Sequence, residues 1–502
     1  MRFTSAFMQR FAVTRKSRYA ARVAVPEWIP TAVGLLALVV LDAYAILRTL
    51  TRQHAIPTAI AWLLAIVAFP GVGAVTYLLL ARPSIRRTTR RRRQFGRRLR
   101  TGMFAEGVPA GPEGPPLQSQ ALSIMHLSAA ITGHLPTSGN HAELLAEDEQ
   151  AFGRIEAALA SAKRSIWAEY YIINNDETGW RFLDLLAERA RAGVEVRLLY
   201  DAIGSGSINK PRLEAILKAG GRAEVFLPLN PLRRRWSVHL RNHRKLIVVD
   251  GQIGFTGGMN IGDEYSGRGR RKGGKRFRDS HLELIGPAVG SLGATFAEDW
   301  TFATGEGLAL PPVPEPKPGA KTVVAVVPSG PDQEHNANAL VYFSAINSSE
   351  RRGWLTSPYF IPDEPTEQAL CSAALRGVDV RIIVPGRPDV PLVGWVARSF
   401  YPRLVHAGVR VFEYMPEMLH GKTLVVDSEL SIVGSANVDM RSFRLNFEVG
   451  ALLYDRQFAA GLEGCFERYL KQTHEVTRRG LSRRKLPEQL YLGTARLLAP
   501  LL

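Results

Sequence analysis

The chain has 502 residues, room for two or three domains and a large core. Its formal charge of +18 points to an anionic partner, either a nucleic acid or an anionic membrane surface. Only two cysteines, Cys371 and Cys465, are present, which excludes a disulfide framework, and their spacing matches no metal-ligand pattern.

Residues 1–27 are basic with scattered apolar side chains. Two apolar segments follow, 28–50 and 56–80, each long enough to cross a hydrocarbon core of about 30 Å. The first carries one acidic residue, Asp42, and the second holds Pro70, Gly71 and Gly73. The long basic leader and the second apolar span argue against a cleaved signal peptide. Pro26, Trp28 and Tyr77 suit interfacial positions. The pattern predicts a two-helix transmembrane hairpin over 28–80. The stretch 82–100 contains ten arginines, whereas the connection between the spans is poor in basic residues. The positive-inside rule then places both flanks, and everything downstream, in the cytoplasm, with the chain a multi-pass protein of the cell's inner membrane. A polyarginine run beside a span suits anionic head groups better than nucleic acid, and no nucleic-acid partner is expected. Residues 81–140 read as a basic juxtamembrane segment and a Gly/Pro-rich linker, ending in a short helix or lid segment.

The rest is an internal duplication, with halves at 141–310 and 320–480 separated by the Pro-rich stretch 311–319. The first half runs from EDEQAFGRIEAALASAKRSIWAEYYII through FLDLLAERARAG to VEVRLLYD. The second repeats the order with ALVYFSAINSSERRGWLTSPYFI, EQALCSAALRG and VDVRIIVP. Trp167 matches Trp354, and Gly193-Val194-Glu195 matches Gly377-Val378-Asp379. Alternating helix and strand patterns argue for two α/β sandwich halves.

Each half then carries the same polar pattern inside an apolar strand. The first copy, 243–260, is HRKLIVVDGQIGFTGGMN; the second, 420–437, is HGKTLVVDSELSIVGSAN. Both read His-x-Lys-x4-Asp and close on a small pair and Asn. His and Lys are costly inside apolar strands unless they are used. Cleavage of a phosphodiester needs a nucleophile, a proton for the leaving alcohol, and positive charge near the phosphoryl oxygens. Two halves meeting face to face, at a pseudo-two-fold active site, supply His243 with Lys245 and His420 with Lys422. Histidine serves both as nucleophile and as acid/base near neutral pH, and the lysines hold phosphate as point charges. Asn260 and Asn437 add hydrogen bonds to the phosphate, and Gly258 and Ser435 stand in the phosphate-facing turns. Asp250 and Asp427 read as supports of the motif loops. No metal or other cofactor is required by this scheme.

The paired motifs resemble the phospholipase D superfamily. The wording around them (NHRKLIVVDG, TGGMNIGDEY, RDSHLEL, MLHGKTLVVD, GSANVDMRSFRLNFEV) is similar to bacterial cardiolipin synthases over nearly the whole chain. The resemblance implies a covalent phosphohistidine, assigned here to His243, with His420 as acid and then base. It also implies an acidic residue downstream of each motif that orients and charge-balances that motif's own histidine; Asp279 and Glu448 occupy those positions. The implied reaction joins two phosphatidylglycerol molecules into cardiolipin and releases glycerol; a phospholipase D-type hydrolase differs only in the acceptor. Basic clusters at 233–235 and 268–278 suit lipid head groups or a solvated loop equally. The closing segment, 481–502, is amphipathic and suits either a membrane surface or packing on the catalytic part.

Overall fold

A computed structural model describes residues 28–51, 56–80, 119–230, 237, 239–268 and 276–499. The basic leader, the arginine run at 82–100, the linker at 101–118, the 233–235 cluster, most of the 268–278 run and residues 500–502 lie outside the described residues. The chain divides into two units, 1–84 and 85–502.

In the first unit, α1 (Trp28–Thr51) is followed by α2 (Ile56–Ala68) and α3 (Val72–Leu80). Most of the apolar side chains of α1 face outward, including Leu35, Leu36, Val40 and Leu47. The second apolar segment is not one continuous helix. Pro70 cannot donate, and Gly71 takes a φ of +76°, so the helix breaks between α2 and α3. The Asp42 carboxylate accepts from the Gly71 N–H at 2.9 and 3.2 Å, which satisfies a backbone group freed by that break. Among the described residues, only Ala32–Thr51 is a single helix long and apolar enough to cross a membrane. Tyr77 is buried with Ala45, Ile66 and Ala74, edge-on to Trp62 at 5.5 Å.

The second unit is built on one 16-stranded sheet with two small two-stranded sheets beside it. Its first half supplies β1 (Thr137–Leu145), β2 (Ser165–Tyr170), β3 (Glu195–Asp201), β4 (Arg222–Phe226), β5 (Arg241–Asn242), β6 (Lys245–Val249), β7 (Ile253–Gly257), β8 (Phe277–Arg278) and β9 (His281–Ile285). Its second half supplies β10 (Thr322–Ser329), β11 (Arg352–Thr356), β12 (Phe360–Ile361), β13 (Asp379–Pro385), β14 (Arg410–Tyr414), β15 (Met418–Leu419), β16 (Thr423–Val426), β17 (Leu430–Gly434), β18 (Val438–Asp439), β19 (Asn446–Tyr454) and β20 (Thr473–Val476).

From the centre outward the first half reads β1-β9-β7-β6-β2-β3-β4 and the second β10-β19-β17-β16-β11-β13-β14-β20. The two central strands, β1 and β10, pair antiparallel, so both halves share one sheet about a pseudo-two-fold relation. In each half the outer strands run parallel, β2-β3-β4 and β11-β13-β14, joined by crossover helices. These helices start where the sequence provides caps. Asp176 accepts from Gly179 N, Asn209 from Arg212 N and Asp363 from Thr366 N.

Apolar clusters line both faces of the sheet. Helices Asp148–Ser161 and Glu177–Arg191 cover the first half, and Ala337–Asn347, Glu364–Leu375 and Pro391–Ala407 cover the second. A third cluster, under helices Ala288–Thr304 and Arg456–Leu470, contains residues of both halves. There the duplicated tryptophans play equivalent parts. Trp167 stacks on Phe296 at 5.4 Å and donates to Glu195; Trp354 stacks on Phe466 at 5.1 Å and donates to Asp379. The segment before the first half does not merely link. Helix Ser119–Thr132 buries Ala121, Ile124 and Met125 in the core of the second half, and the chain then enters β1 at Thr137.

Candidate active site

Both motif histidines follow short strands of their own half that pair with the opposite half. β5, just before His243, pairs parallel with the start of β19, and His243 N–H donates to Phe447 O at 2.8 Å. β15, just before His420, pairs parallel with β8, and His420 N–H donates to Arg278 O at 2.6 Å. These crossed ladders place each histidine beside the acid of the other half. His243 Nδ1 lies 3.0 Å from Glu448 Oε2, and His420 Nδ1 lies 2.5 Å from Asp279 Oδ2. The expectation that each acid serves its own motif is therefore corrected: Asp279 follows the first motif but holds the second motif's histidine, and Glu448 the reverse. A carboxylate only accepts, so the Glu448 contact puts the proton on His243 Nδ1 and leaves Nε2 for chemistry; His420 Nδ1 faces both Asp279 and, at 2.7 Å, the Lys422 Nζ donor.

His243 and His420 line one cavity of about 360 Å³. Burial lowers the His243 imidazole below its ordinary value, with Glu448 opposing and Lys245 adding to the fall. Burial, then Lys422, lowers His420 to about 4 against the pull of Asp279. Burial thus favours the neutral form of both imidazoles near pH 7. Burial opposes ionisation of Asp279 and Glu448, but the Lys422 charge and the hydrogen bond with His420 hold Asp279 low, and the hydrogen bond with His243 and the Lys245 charge hold Glu448 low.

Lys245 begins β6 and Lys422 immediately precedes β16, and neither lines the cavity. Lys245 Nζ donates to His243 O at 2.6 Å, and Lys422 Nζ donates to His420 O and lies 3.4 Å from Asp279 Oδ2. Burial lowers Lys245 to about 7, and it lowers Lys422 as well.

Asp250 and Asp427 stand at the far ends of these strands, each with φ of +53°. Asp250 accepts from the N–H groups of Lys163, Arg164 and Ser165 at 2.9, 2.7 and 2.9 Å. Asp427 accepts from Glu350, Arg351 and Arg352 at the same three distances. Neither lines the cavity. A short carboxylate that tolerates the left-handed region and satisfies a neighbouring turn explains why Asp recurs there.

Asn260 and Asn437 both line the cavity. Asn260 Nδ2 donates to the Tyr265 hydroxyl at 2.9 Å, which leaves one N–H. Asn437 Oδ1 has no hydrogen-bond partner among the described residues. Gly258 and Ser435, assigned from sequence to phosphate-facing turns, instead back the carboxylates. A Cβ on Gly258 would stand 2.1 Å from Asp279 Oδ1, so only glycine lets that carboxylate reach His420. Ser435 Oγ donates to Glu448 Oε2 at 2.5 Å.

Other cavity residues were not singled out from sequence. Tyr171 meets His243 edge-on at 4.9 Å, and Phe277 and Tyr265 meet His420 at 5.2 and 5.4 Å. The Tyr359 hydroxyl donates to Asp389 at 2.9 Å. The tyrosines had a signal: YYII and PYFI follow the matched tryptophans at nearly equal distance in the two halves. Arg244, the middle residue of the first motif, also stands out. It is buried, pairs with Asp299, and donates to Glu448 O at 2.9 Å and Ser329 O at 3.0 Å. The second motif has Gly421 there, which has no side chain to make these contacts.

Comparison with known proteins agrees with this geometry. The family profile described as cardiolipin synthase, phospholipase D-like domain, matches residues 155–268 and 342–470, one stretch in each half. A phospholipase D-nuclease N-terminal profile matches residues 40–82. The cardiolipin synthase of Geobacillus kaustophilus is 38% identical over 450 residues, covering 88% of each chain. Cardiolipin synthase A of Pseudomonas fluorescens is 37% identical over 473 residues, 91% of this chain and 96% of that one. The crystal structure of phosphatidylserine synthase from Haemophilus influenzae superposes with a TM-score of 0.56 at 18% identity, over 72% of this chain and 95% of that one, a likeness of fold. With two phospholipase D-like halves bringing His243 and His420 to one cavity, and relatives matched along almost their full length, the chain belongs to the cardiolipin synthase family of the phospholipase D superfamily.

Proposed function

We propose that the chain is a phosphatidyltransferase that joins two phosphatidylglycerol molecules into cardiolipin and glycerol at the His243/His420 cavity. The observation that carries this reading is the crossed pair of His–carboxylate couples on one cavity, with two buried lysines against the backbone of those histidines.

Lys245 and Lys422 hold the phosphodiester of the first lipid, with Asn260 and Asn437 adding hydrogen bonds. His243 Nε2 attacks phosphorus; a P–N bond forms and the P–O bond to the glycerol head group breaks. The leaving oxygen takes a proton from His420. Burial and Lys422 keep His420 neutral, and the negative charge of the bound phosphodiester favours its protonation. Glycerol departs. The terminal hydroxyl of a second phosphatidylglycerol then gives its proton to His420 and attacks phosphorus, and the P–N bond breaks to release cardiolipin. Glu448 and Asp279 fix each imidazole's tautomer and balance its charge when it turns cationic.

The first unit anchors the chain in the cytoplasmic membrane as a hairpin. α1 is one span, and α2 and α3 form a broken second, with the break capped by Asp42. The arginine run beyond it keeps the catalytic unit on the cytoplasmic side.

The test is product analysis. Full-length protein is incubated with phosphatidylglycerol in mixed micelles with chelator, and the lipids are identified by mass. Cardiolipin with matching glycerol is the expected result; phosphatidic acid alone would make water the acceptor and overturn the transferase reading.

A further inference from the structure

The C-terminal segment both packs and exposes. Helix Leu486–Arg496 and the turn after it bury Leu492, Ala495 and Ala499 against the second half, and Arg496 lies over the Phe400 ring at 4.5 Å. Leu486, Leu490 and Leu497 recur at four- and seven-residue spacing on another stripe, and they stand 67%, 62% and 77% exposed. This stripe does not end with its own helix. Tyr491 meets Trp395 of helix Pro391–Ala407 at 4.1 Å, and Trp395, Leu392 and Val390 are themselves exposed. Val390 and its near neighbour Val393 line the catalytic cavity. One apolar surface therefore runs from the lip of the cavity across Trp395 and Tyr491 to the leucine stripe. Exposed cations border it in sequence: Arg387 before the lip, and Arg483 and Lys485 before the stripe.

We infer that this surface docks on the bilayer itself, seating the mouth of the cavity at the head-group level so that lipid enters without crossing water. Three features select a bilayer as the occupant. The apolar stripe carries Trp and Tyr at its join, residues suited to the membrane interface. The neighbouring Arg and Lys complement anionic head groups. The surface is continuous with the cavity, so whatever covers it also meets the entrance. The inference rests on the reading that the cavity takes a bilayer lipid.

The test uses full-length protein reconstituted in phosphatidylcholine vesicles. Wild type and the L486E/L490E/L497E variant are assayed on long-chain phosphatidylglycerol within the bilayer and on short-chain phosphatidylglycerol dissolved as monomers. In parallel, a bimane label on Leu490→Cys is read for quenching by nitroxide-labelled lipid. Docking predicts at least a tenfold loss of kcat/KM on the bilayer substrate, unchanged turnover of the monomer, and quenching at position 490. Equal losses on both substrates would assign the leucines a structural role, and an unchanged bilayer rate or an unquenched label would remove the docking face; each overturns the inference. If wild type turns over neither substrate, the transferase reading fails, and the quenching alone still decides the docking.

Discussion

Replacing Glu448 by Gln tests the crossed pairing at one atom. Glu448 Oε2 lies 3.0 Å from His243 Nδ1, and both groups are buried. The neutral amide keeps the shape and removes the charge that favours the imidazolium. A hydrogen bond to a charged group contributes about 1.5–3 kcal/mol. At about 1.4 kcal/mol per tenfold, the proton affinity of His243 falls about ten- to a hundredfold. Diethyl pyrocarbonate reacts with neutral imidazole, and peptide mass analysis reports each histidine separately across a pH series. Glu448→Gln should move the His243 profile to lower pH and leave His420 in place. Asp279→Asn should do the converse, since Asp279 opposes the depression of His420. If Asp279→Asn moves His243 instead, each acid serves its own motif and the crossed arrangement is wrong.

Four further outcomes follow from single residues. Gly258→Ala places a Cβ 2.1 Å from Asp279 Oδ1, and the carboxylate must retreat. A misplacement of about 1 Å costs about a hundredfold, so kcat on phosphatidylglycerol should fall by that order, and an unchanged kcat would refute the role given to this glycine. Asp427→Ala strands the three backbone N–H groups of Glu350, Arg351 and Arg352, and thermal unfolding should shift to lower temperature. For Asp250, burial opposes ionisation, but the N–H groups of Ser165, Lys163 and Arg164 prevail and hold its folded value below the ordinary one. Its stabilisation is therefore complete above the unfolded value of about 3.9 and is lost as pH falls through the folded value. The stability gap between wild type and Asp250→Asn should shrink below about pH 4, and a constant gap would contradict this. Lys245, lowered by burial to about 7, loses its charge as pH rises through that value. The alkaline limb of kcat/KM should begin there, and a profile flat from about pH 6 to 9 would exclude Lys245 as the phosphate-holding cation.

The motif side chains were legible because His and Lys are conspicuous in a run such as KLIVV, and a second copy repeated the spacing. The matched tryptophans and the residues Glu195 and Asp379 gave the duplicated half as well, and the structure uses them identically. What the sequence could not supply was pairing between distant segments. The crossing of Glu448 to His243 and Asp279 to His420 depends on β5 meeting β19 and β8 meeting β15. Both are two-residue ladders with no periodic signal. Gly258 and Ser435 looked like turn residues facing a ligand, since a backing role shows only once the carboxylates behind them are placed. Pro70 and Gly71 did mark the second apolar segment, yet length alone favoured one span where the helix divides. Helix Ser119–Thr132 carries apolar residues, but nothing local says that they belong to the second half's core.

The most direct test of the account is to trap the covalent intermediate. Full-length protein is mixed with phosphatidylglycerol labelled in its phosphate, quenched in alkali within the first turnover, and digested for mass analysis. The account predicts a phosphatidyl adduct on the His243 peptide, absent in His243→Asn. An adduct on His420, or turnover with no adduct on either histidine, would contradict it.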